Sequence, residues 1–267
     1  MKNYKYVTFL IASTMILAIS AVQAQGNIFV QGEGGVFTAD RLSLLKNGEG
    51  GGLGNNPGMM NLYSDMRMKF GRLGEEVTLT LDDIEGTIYP NENFTLGTLY
   101  EDGVAFKKLY LRYDAYNDEV ELKESLDDDT VRAMVKHPMY SCSMNGNVYQ
   151  FIGYMDEDGE WQKGYLMPLT AGEDYALFVK QIKVFKEGKP AKTSLDNSFP
   201  HRFLDRTEYY VSKSGGVPVF VKAKKSDVLS LFSDDEVKKM KGYMKDKHIN
   251  TGNERDLVDL FTYANTL

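Results

Sequence analysis

The chain has 267 residues, a formal net charge of −7 and one cysteine, and these values exclude several classes of protein. A chain this acidic is not built to neutralise nucleic-acid phosphates, and it lacks the basic amphipathic helix of a protein that lies on anionic lipid. One cysteine cannot form an internal disulfide, so packing must stabilise the fold, with 14 Phe and 17 Tyr contributing.

The first 24 residues have the pattern of a cleavable secretory signal peptide. Lys2 and Lys5 supply a basic start, and an uncharged apolar run at 7–22 ends in the small-residue cleavage motif at 22–24. The run is shorter than the ~20 residues of a spanning helix. We therefore predict cleavage after Ala24 and an exported protein. Its location would be periplasmic or extracellular, with association to the outer membrane through a partner as a further option.

Residues 25–75 form a Gly-rich segment with little regular pattern. Two stretches, 31–35 and 47–58, are dominated by Gly, Asn and Glu, and we interpret the second as a flexible loop. Neither has the Gly-Lys-Ser/Thr ending of a phosphate-binding loop. The remaining residues, 76–267, are predicted to form one β-rich domain.

From residue 76 onward the hydrophobic pattern has the period of two that is typical of strands. Residues 77–81 alternate Val or Leu with Thr. Residues 109–114 and 119–123 alternate in the same way on either side of a polar turn at 116–118. This arrangement predicts a hairpin with one solvent-exposed face.

Further turn signals divide the next hundred residues into short strands. Asn145-Gly146 is the strongest, because both residues tolerate the positive φ of a two-residue hairpin, and it joins predicted strands at 139–144 and 147–154. The other predicted elements are a turn at 158–159, strands at 161–169, 175–185, 208–212 and 217–221, and a turn at 214–216. The pattern predicts a mainly β fold, an antiparallel β-meander arranged as a sandwich or a partly closed barrel.

The C-terminal residues predict two or three short α-helices. Residues 225–232 can form one, and Ser233 with Glu236 makes a capping box at the start of the next. Thr251 with Glu254 offers a second box before an amphipathic third helix. Helices this short are not stable alone, so we expect them to dock on the sheet.

Two stretches, Phe94–Tyr100 and Leu109–Glu121, carry a family resemblance. Together with the hairpin at 209–222 and the acidic, Lys-rich helical tail, they are similar to an exported β-rich protein family of Bacteroidota without an established activity. The similarity extends from Phe94 to Leu267. It implies export and a β-rich architecture, and it supplies no catalytic or cofactor-binding residue to carry over.

Catalytic signatures are weak. His137, His201 and His248 are the only candidates for a histidine base, and no Gly-x-Ser-x-Gly nucleophile motif is present. Glu119 and Glu121 share a strand face, as a glycosidase pair would, but each also fits a solvated face. We assign no catalytic residue and favour a protein that is not an enzyme, while a spatial triad around a histidine stays open.

The acidic turn with Asp156, Asp158 and Glu160 is the only candidate metal site. These residues offer the oxygen donors that calcium prefers, but the spacing to a closing bidentate glutamate is missing. An acidic hairpin turn explains the sequence equally well. Calcium is therefore a weak candidate, and no other cofactor is expected.

Two isolated residues are candidates for chemistry or modification. Cys142 lies among apolar and aromatic residues and is most simply a small core residue. Thr130 lies in the tripeptide Asp-Thr-Val, which is similar to the three-residue O-glycosylation site of exported Bacteroidota proteins. It is a candidate modification site.

The leading functional hypothesis is a non-enzymatic binding or interaction module of the cell envelope that contacts another envelope protein or a surface glycan. The alternatives are a carrier of a small apolar ligand and, less favoured, an envelope hydrolase. A carrier requires an apolar cavity, and a hydrolase requires His137 or His201 beside a Ser, Asp or Glu. A binding protein requires an exposed aromatic patch or an unpaired strand edge.

Overall fold

The computed structural model describes residues 84–189 and 199–267, which form one large sheet followed by three short helices. The mainly β, largely antiparallel class is confirmed, and the sheet is not a closed barrel. The Gly-rich segment 25–75 and the predicted strand at 77–81 lie outside these residues.

The strands are β1 (Ile84–Glu85), β2 (Thr95–Glu101), β3 (Val104–Asp114), β4 (Glu119–Lys123), β5 (Arg132–Ala133), β6 (Tyr140–Met144), β7 (Asn147–Met155), β8 (Trp161–Pro168), β9 (Tyr175–Lys186), β10 (His201–Lys213) and β11 (Val219–Val221). The helices are α1 (Lys225–Leu229), α2 (Asp234–Asp246) and α3 (Glu254–Ala264).

The strand order is β1-β10-β9-β8-β7-β6-β2-β3-β4-β5, with β11 beside β10. Neighbours in this order are antiparallel except β1, which runs parallel to β10. Strand β11 also returns to β7 through one parallel pair, Val219 with Met155. The sheet therefore curls back on itself without closing.

Most buried side chains form two clusters on one face of this sheet, and a smaller third cluster lies on the other face: Tyr154, Leu166 and Tyr210. The first covers strands β2 to β9 and contains the fully buried Leu111, Val120 and Cys142. The second lies between β9, β10, β11 and the three helices, and includes Leu177 and Phe261. The expected docking of the helices on the sheet is confirmed, and the face that holds the first two clusters is called the core face below.

Local sequence signals correctly predict the Asn145-Gly146 turn and one of the two helix starts. Asn145 and Gly146 adopt φ values of 52° and 78°, as the predicted hairpin requires. The Glu236 carboxylate accepts the N–H of Ser233 (2.8 Å) at the start of α2. The second predicted capping box, at Thr251, is wrong, because the side chain of Asn253 caps α3 instead.

The gap between β8 and β9 is filled by a turn from another part of the sheet. These strands pair at only two positions and then separate. The β3–β4 turn, residues 115–118, lies in the gap: the Asp118 carboxylate accepts the N–H of Tyr165 on β8 (3.3 Å), and the Ala115 carbonyl accepts that of Lys183 on β9 (3.0 Å). Because an unpaired buried N–H is costly, the turn takes the place of a missing strand.

A charged contact holds this turn in place. The buried Lys180 ammonium lies 2.7 Å from the Asp118 carboxylate, and the Tyr113 hydroxyl donates to the same carboxylate (2.6 Å). Burial and then the charge of Asp118 raise the pKa of Tyr113 well above its ordinary value. At Gly164 a Cβ atom would lie 2.2 Å from the Asp118 carboxylate, so the close approach requires glycine.

Asp114 fixes the shape of the turn. Its carboxylate accepts the N–H groups of Tyr116 and Asn117 (both 2.9 Å) and the side-chain amide of Asn117 (2.7 Å). Asp118 follows with a positive φ of 54°, which aspartate tolerates better than most residues. The Asp114 side chain is fully buried.

The expected solvent-exposed face of the β3–β4 hairpin is wrong. Residues 88–94 cover it, and the Arg112 guanidinium lies between the rings of Tyr89 (3.8 Å) and Phe94 (4.2 Å). Arg112 also donates twice to the Glu121 carboxylate (2.6 and 2.9 Å), which is 2% exposed. Burial raises the pKa of Glu121, and the neighbouring Arg112 opposes that rise.

Replacing Asp118 with Ala should lower the free energy of unfolding by about 3 kcal/mol, because the buried Lys180 charge and the Tyr165 N–H lose their partner. The matched control is Glu157→Ala, which breaks the ion pair with Lys222 where both side chains are about half exposed. We expect a much smaller loss there. Urea denaturation of both variants gives the comparison, and equal losses would contradict the role of Asp118.

Replacing Asp114 with Asn should remove a pH dependence of stability. Burial raises the pKa of Asp114 to about 6, although hydrogen bonds from Asn117 and Tyr116 lower it. Because the folded-state pKa lies above the unfolded value of about 3.9, the stability contributed by protonation is fully present below pH ~4 and is lost as pH rises through ~6. Urea unfolding of wild type and variant between pH 4 and 7 should show this difference. Parallel curves would contradict it.

Candidate binding surface

The two histidines considered for a hydrolase take part in local structure. His137 accepts the N–H of Met139 through Nδ1 (3.2 Å). His201 accepts the N–H of Gly188 through Nδ1 (3.0 Å), and its ring stacks on Phe185 with centroids 5.6 Å apart. These contacts give both histidines a role in the local backbone structure.

The other catalytic candidates are held in ion pairs or are buried in the core. Glu119 forms an ion pair with Lys136 (3.3 Å), and Glu121 is held by Arg112. Cys142 is fully buried, and burial raises the pKa of its thiol to about 12, so the reactive thiolate is suppressed. The cysteine is the core residue that the sequence predicts.

The Asp156 carboxylate closes the β7–β8 turn. One of its oxygens accepts the N–H groups of Asp158 (3.1 Å) and Glu160 (2.8 Å), and the other accepts the amide of Gln162 (3.0 Å). These hydrogen bonds, led by the one from Glu160, lower the pKa of Asp156. Among residues 84–189 and 199–267, no three His, Cys, Asp or Glu side chains are grouped as metal ligands. The turn is explained without an ion, and the calcium site stays a prediction.

Thr130 lies in the loop between β4 and β5. Its side chain is exposed, and its N–H donates to the Asp128 carboxylate (2.9 Å). The position is accessible to a modifying enzyme, and the glycosylation of Thr130 stays a prediction.

Exposed apolar side chains concentrate at one end of the sheet. Ten large ones are exposed in the part of the chain that the structure describes, and six of them lie where β2, β4 and β7 end and β3, β6, β8 and β11 begin. The ends of four neighbouring hairpins thus carry most of the exposed apolar area. We call this group the apolar end surface: Val104, Phe106, Leu126, Trp161, Val217 and Val219.

Trp161 forms one half of this surface. Its indole is 53% exposed and covers Gly153, where a Cβ atom would lie only 2.2 Å from the ring. Trp161 pairs with Met155 on β7, and Met155 pairs with Val219 on β11. Cross-strand partners point to the same face, so the three side chains form an apolar row across three strands.

The start of β3 forms the other half. Residues 104–108 are all exposed, with Val104 69% and Phe106 40% exposed. The Phe106 ring lies 6.4 Å from that of Tyr140 on β6, between ring centroids. The Asp102 N–H donates to the Met139 carbonyl (2.8 Å) and ties the hairpin tip to the loop before β6.

Both halves belong to the core face. Tyr140 alternates in phase with Cys142 on β6, and Gly153 alternates in phase with Phe151 on β7. Cys142 and Phe151 are both members of the first core cluster. The apolar end surface therefore continues the core face beyond the packed core.

A surface of exposed apolar and aromatic side chains suits binding better than catalysis. Trp, Phe, Tyr and Met are enriched at protein interfaces, and charged residues are depleted at interface centres. Sequence reasoning did not find this surface, because the strand pattern around Trp161 and Val219 predicts alternation but not which core-facing residues remain uncovered.

Comparisons of the chain with protein-family models, with curated proteins and with solved structures give no match. Within the described ranges, none of the helices combines the length and the apolar character needed to cross a membrane. The fold and the surface together define a curled β-sheet protein with an exposed apolar end.

Trp161 is the single tryptophan, so its fluorescence reports on this surface. Replacing Gly153 with Val should displace the indole toward solvent and increase quenching by acrylamide, because a Cβ atom would lie within the ring contact. Gly242→Ala on α2 is the control, since no atom lies within 4 Å of the Cβ position there. Equal quenching in the two variants would contradict the placement of the ring.

Proposed function

We propose that the protein is an exported, non-enzymatic binding module of the cell envelope, and that the apolar end surface contacts a protein partner. The observation that carries the proposal is the concentration of exposed Trp161, Phe106 and Val219 on one face at one end of the sheet. Contiguous apolar patches of this kind mark interaction sites on folded proteins. The signal-like N-terminus supports the compartment.

The mixture of side chains favours a protein over a glycan as the partner. Aliphatic Val104, Leu126, Val217 and Val219 accompany the aromatic residues. Aliphatic side chains gain mainly by being removed from water, and a protein core patch removes more water from them than hydroxyl-rich sugars do. A surface glycan is the alternative outcome of the test below.

The carrier hypothesis receives less support. Leu111, Val120 and Cys142 are fully buried against one another in the first core cluster. At Gly97 a Cβ atom would lie 2.5 Å from the Leu111 side chain, so the sheet and its core are in close contact there. An interior ligand requires space that these side chains occupy.

The test is crosslinking in intact native cells, followed by purification of the tagged protein. Trp161→Ala and Val219→Asp should reduce the yield of a crosslinked partner, because removing an interface hot spot costs at least about 2 kcal/mol, or roughly 30-fold in affinity. Leu96→Asp is the matched control. Leu96 is similarly exposed, but it alternates out of phase with the buried Leu99 of the core face.

The proposal predicts one partner that is lost from the two surface variants and kept by the control. Equal capture by all three variants, or capture lost only from the Leu96→Asp protein, would contradict it. If the surface variants instead lose a bound glycan, the partner is a glycan and not a protein, and the apolar end surface is still the binding site.

A further inference from the structure

The apolar end surface is bordered by three acidic loops. The β2–β3 turn at 101–103 carries two carboxylates, the β4–β5 loop at 124–131 carries four, and the β7–β8 turn at 156–160 carries four. None of the three loops contains a Lys or Arg. The strand order and directions bring all three loops to the end of the sheet where Trp161 and Phe106 are exposed.

Neighbouring cations neutralise only part of this border. Glu124 is paired with Lys107 (3.3 Å) and Arg132 (3.6 Å), and Glu157 with Lys222 (2.8 Å). The basic residues in or directly after the adjoining strands at this end number six, against ten carboxylates in the loops: Lys107, Lys108, Lys123, Arg132, Lys163 and Lys222. A net negative charge therefore remains around the apolar centre.

Eight of the ten carboxylates form no ion pair within residues 84–189 and 199–267. Five of these eight also accept no side-chain hydrogen bond there: Asp102, Asp127, Asp129, Asp158 and Glu160. Asp158 and Glu160 lie in the β7–β8 turn directly before Trp161, and both are exposed. Exposed charges of one sign around an apolar centre steer an oppositely charged partner and reject a like-charged one.

We infer that the partner of the apolar end surface is a basic protein segment, in which Lys or Arg side chains surround an apolar or aromatic centre. This inference rests on the proposed function and adds the chemistry of the partner. The sign of the border argues against anionic lipid and nucleic acid. It also argues against a second copy of this chain, because symmetric pairing would bring two acidic borders together.

The test selects twelve-residue peptides from a random display library on the full-length protein. Enriched peptides should combine Lys or Arg with Trp, Phe or Leu, and their affinity should fall about tenfold or more between 50 and 500 mM NaCl. Enriched peptides without an excess of basic residues, or affinities independent of salt, would overturn the inference.

Charge-matched variants separate this inference from the proposed function. Removing four border charges by Asp127→Asn, Asp129→Asn, Asp158→Asn and Glu160→Gln should weaken binding about tenfold, mainly through slower association. The control removes four exposed charges from the helices, by Asp234→Asn, Asp235→Asn, Asp246→Asn and Asp259→Asn, and should bind as the wild type does.

If Trp161→Ala abolishes peptide binding while the border variant binds normally, the basic-partner inference is wrong and the surface stands. If Trp161→Ala has no effect on the selected peptides, the proposed surface itself is wrong.

Discussion

Strands β8 and β9 part after two residue pairs, and their separated edges leave buried backbone N–H groups that need acceptors. The β3–β4 turn provides these acceptors through Asp118 and Ala115, and the buried Lys180 balances the charge that Asp118 brings into the gap. The turn residues that provide these acceptors lie far in sequence from the β8 and β9 residues whose N–H groups they accept. The gap between β8 and β9 is therefore closed by one turn, which an ion pair and a backbone hydrogen bond hold in place.

This constraint also explains where the molecule exposes apolar surface. The β3–β4 turn anchors one end of β3 inside the sheet, while β4 pairs with β3 only from Tyr110 onward. The first residues of β3 project past the core with Val104 and Phe106 exposed. At the same end, Trp161 lies over Gly153 rather than in the core. A rigid interior and an uncovered end are the arrangement that a pre-organised binding surface needs.

Local signals in the sequence predict much of the fold, because they act over a few residues. Asn145-Gly146 specified its hairpin, and Ser233 with Glu236 specified the start of α2. The burial of Glu121 was missed because the covering residues 88–94 contain no alternating pattern. The Asp118–Lys180 pair spans 62 residues, and no local spacing indicates it. The acidic loops are visible in the sequence, but their convergence around Trp161 follows only from the strand order.

The most direct measurement places a photoreactive benzophenone side chain at Val217, beside the Trp161 row, and at Leu96 on the opposite face of the sheet. Both positions are exposed, so either can react with a neighbour in intact native cells. The account predicts a discrete crosslinked protein from position 217 and none from position 96. The same product from both positions, or a product from position 96 alone, would contradict a binding function at the apolar end.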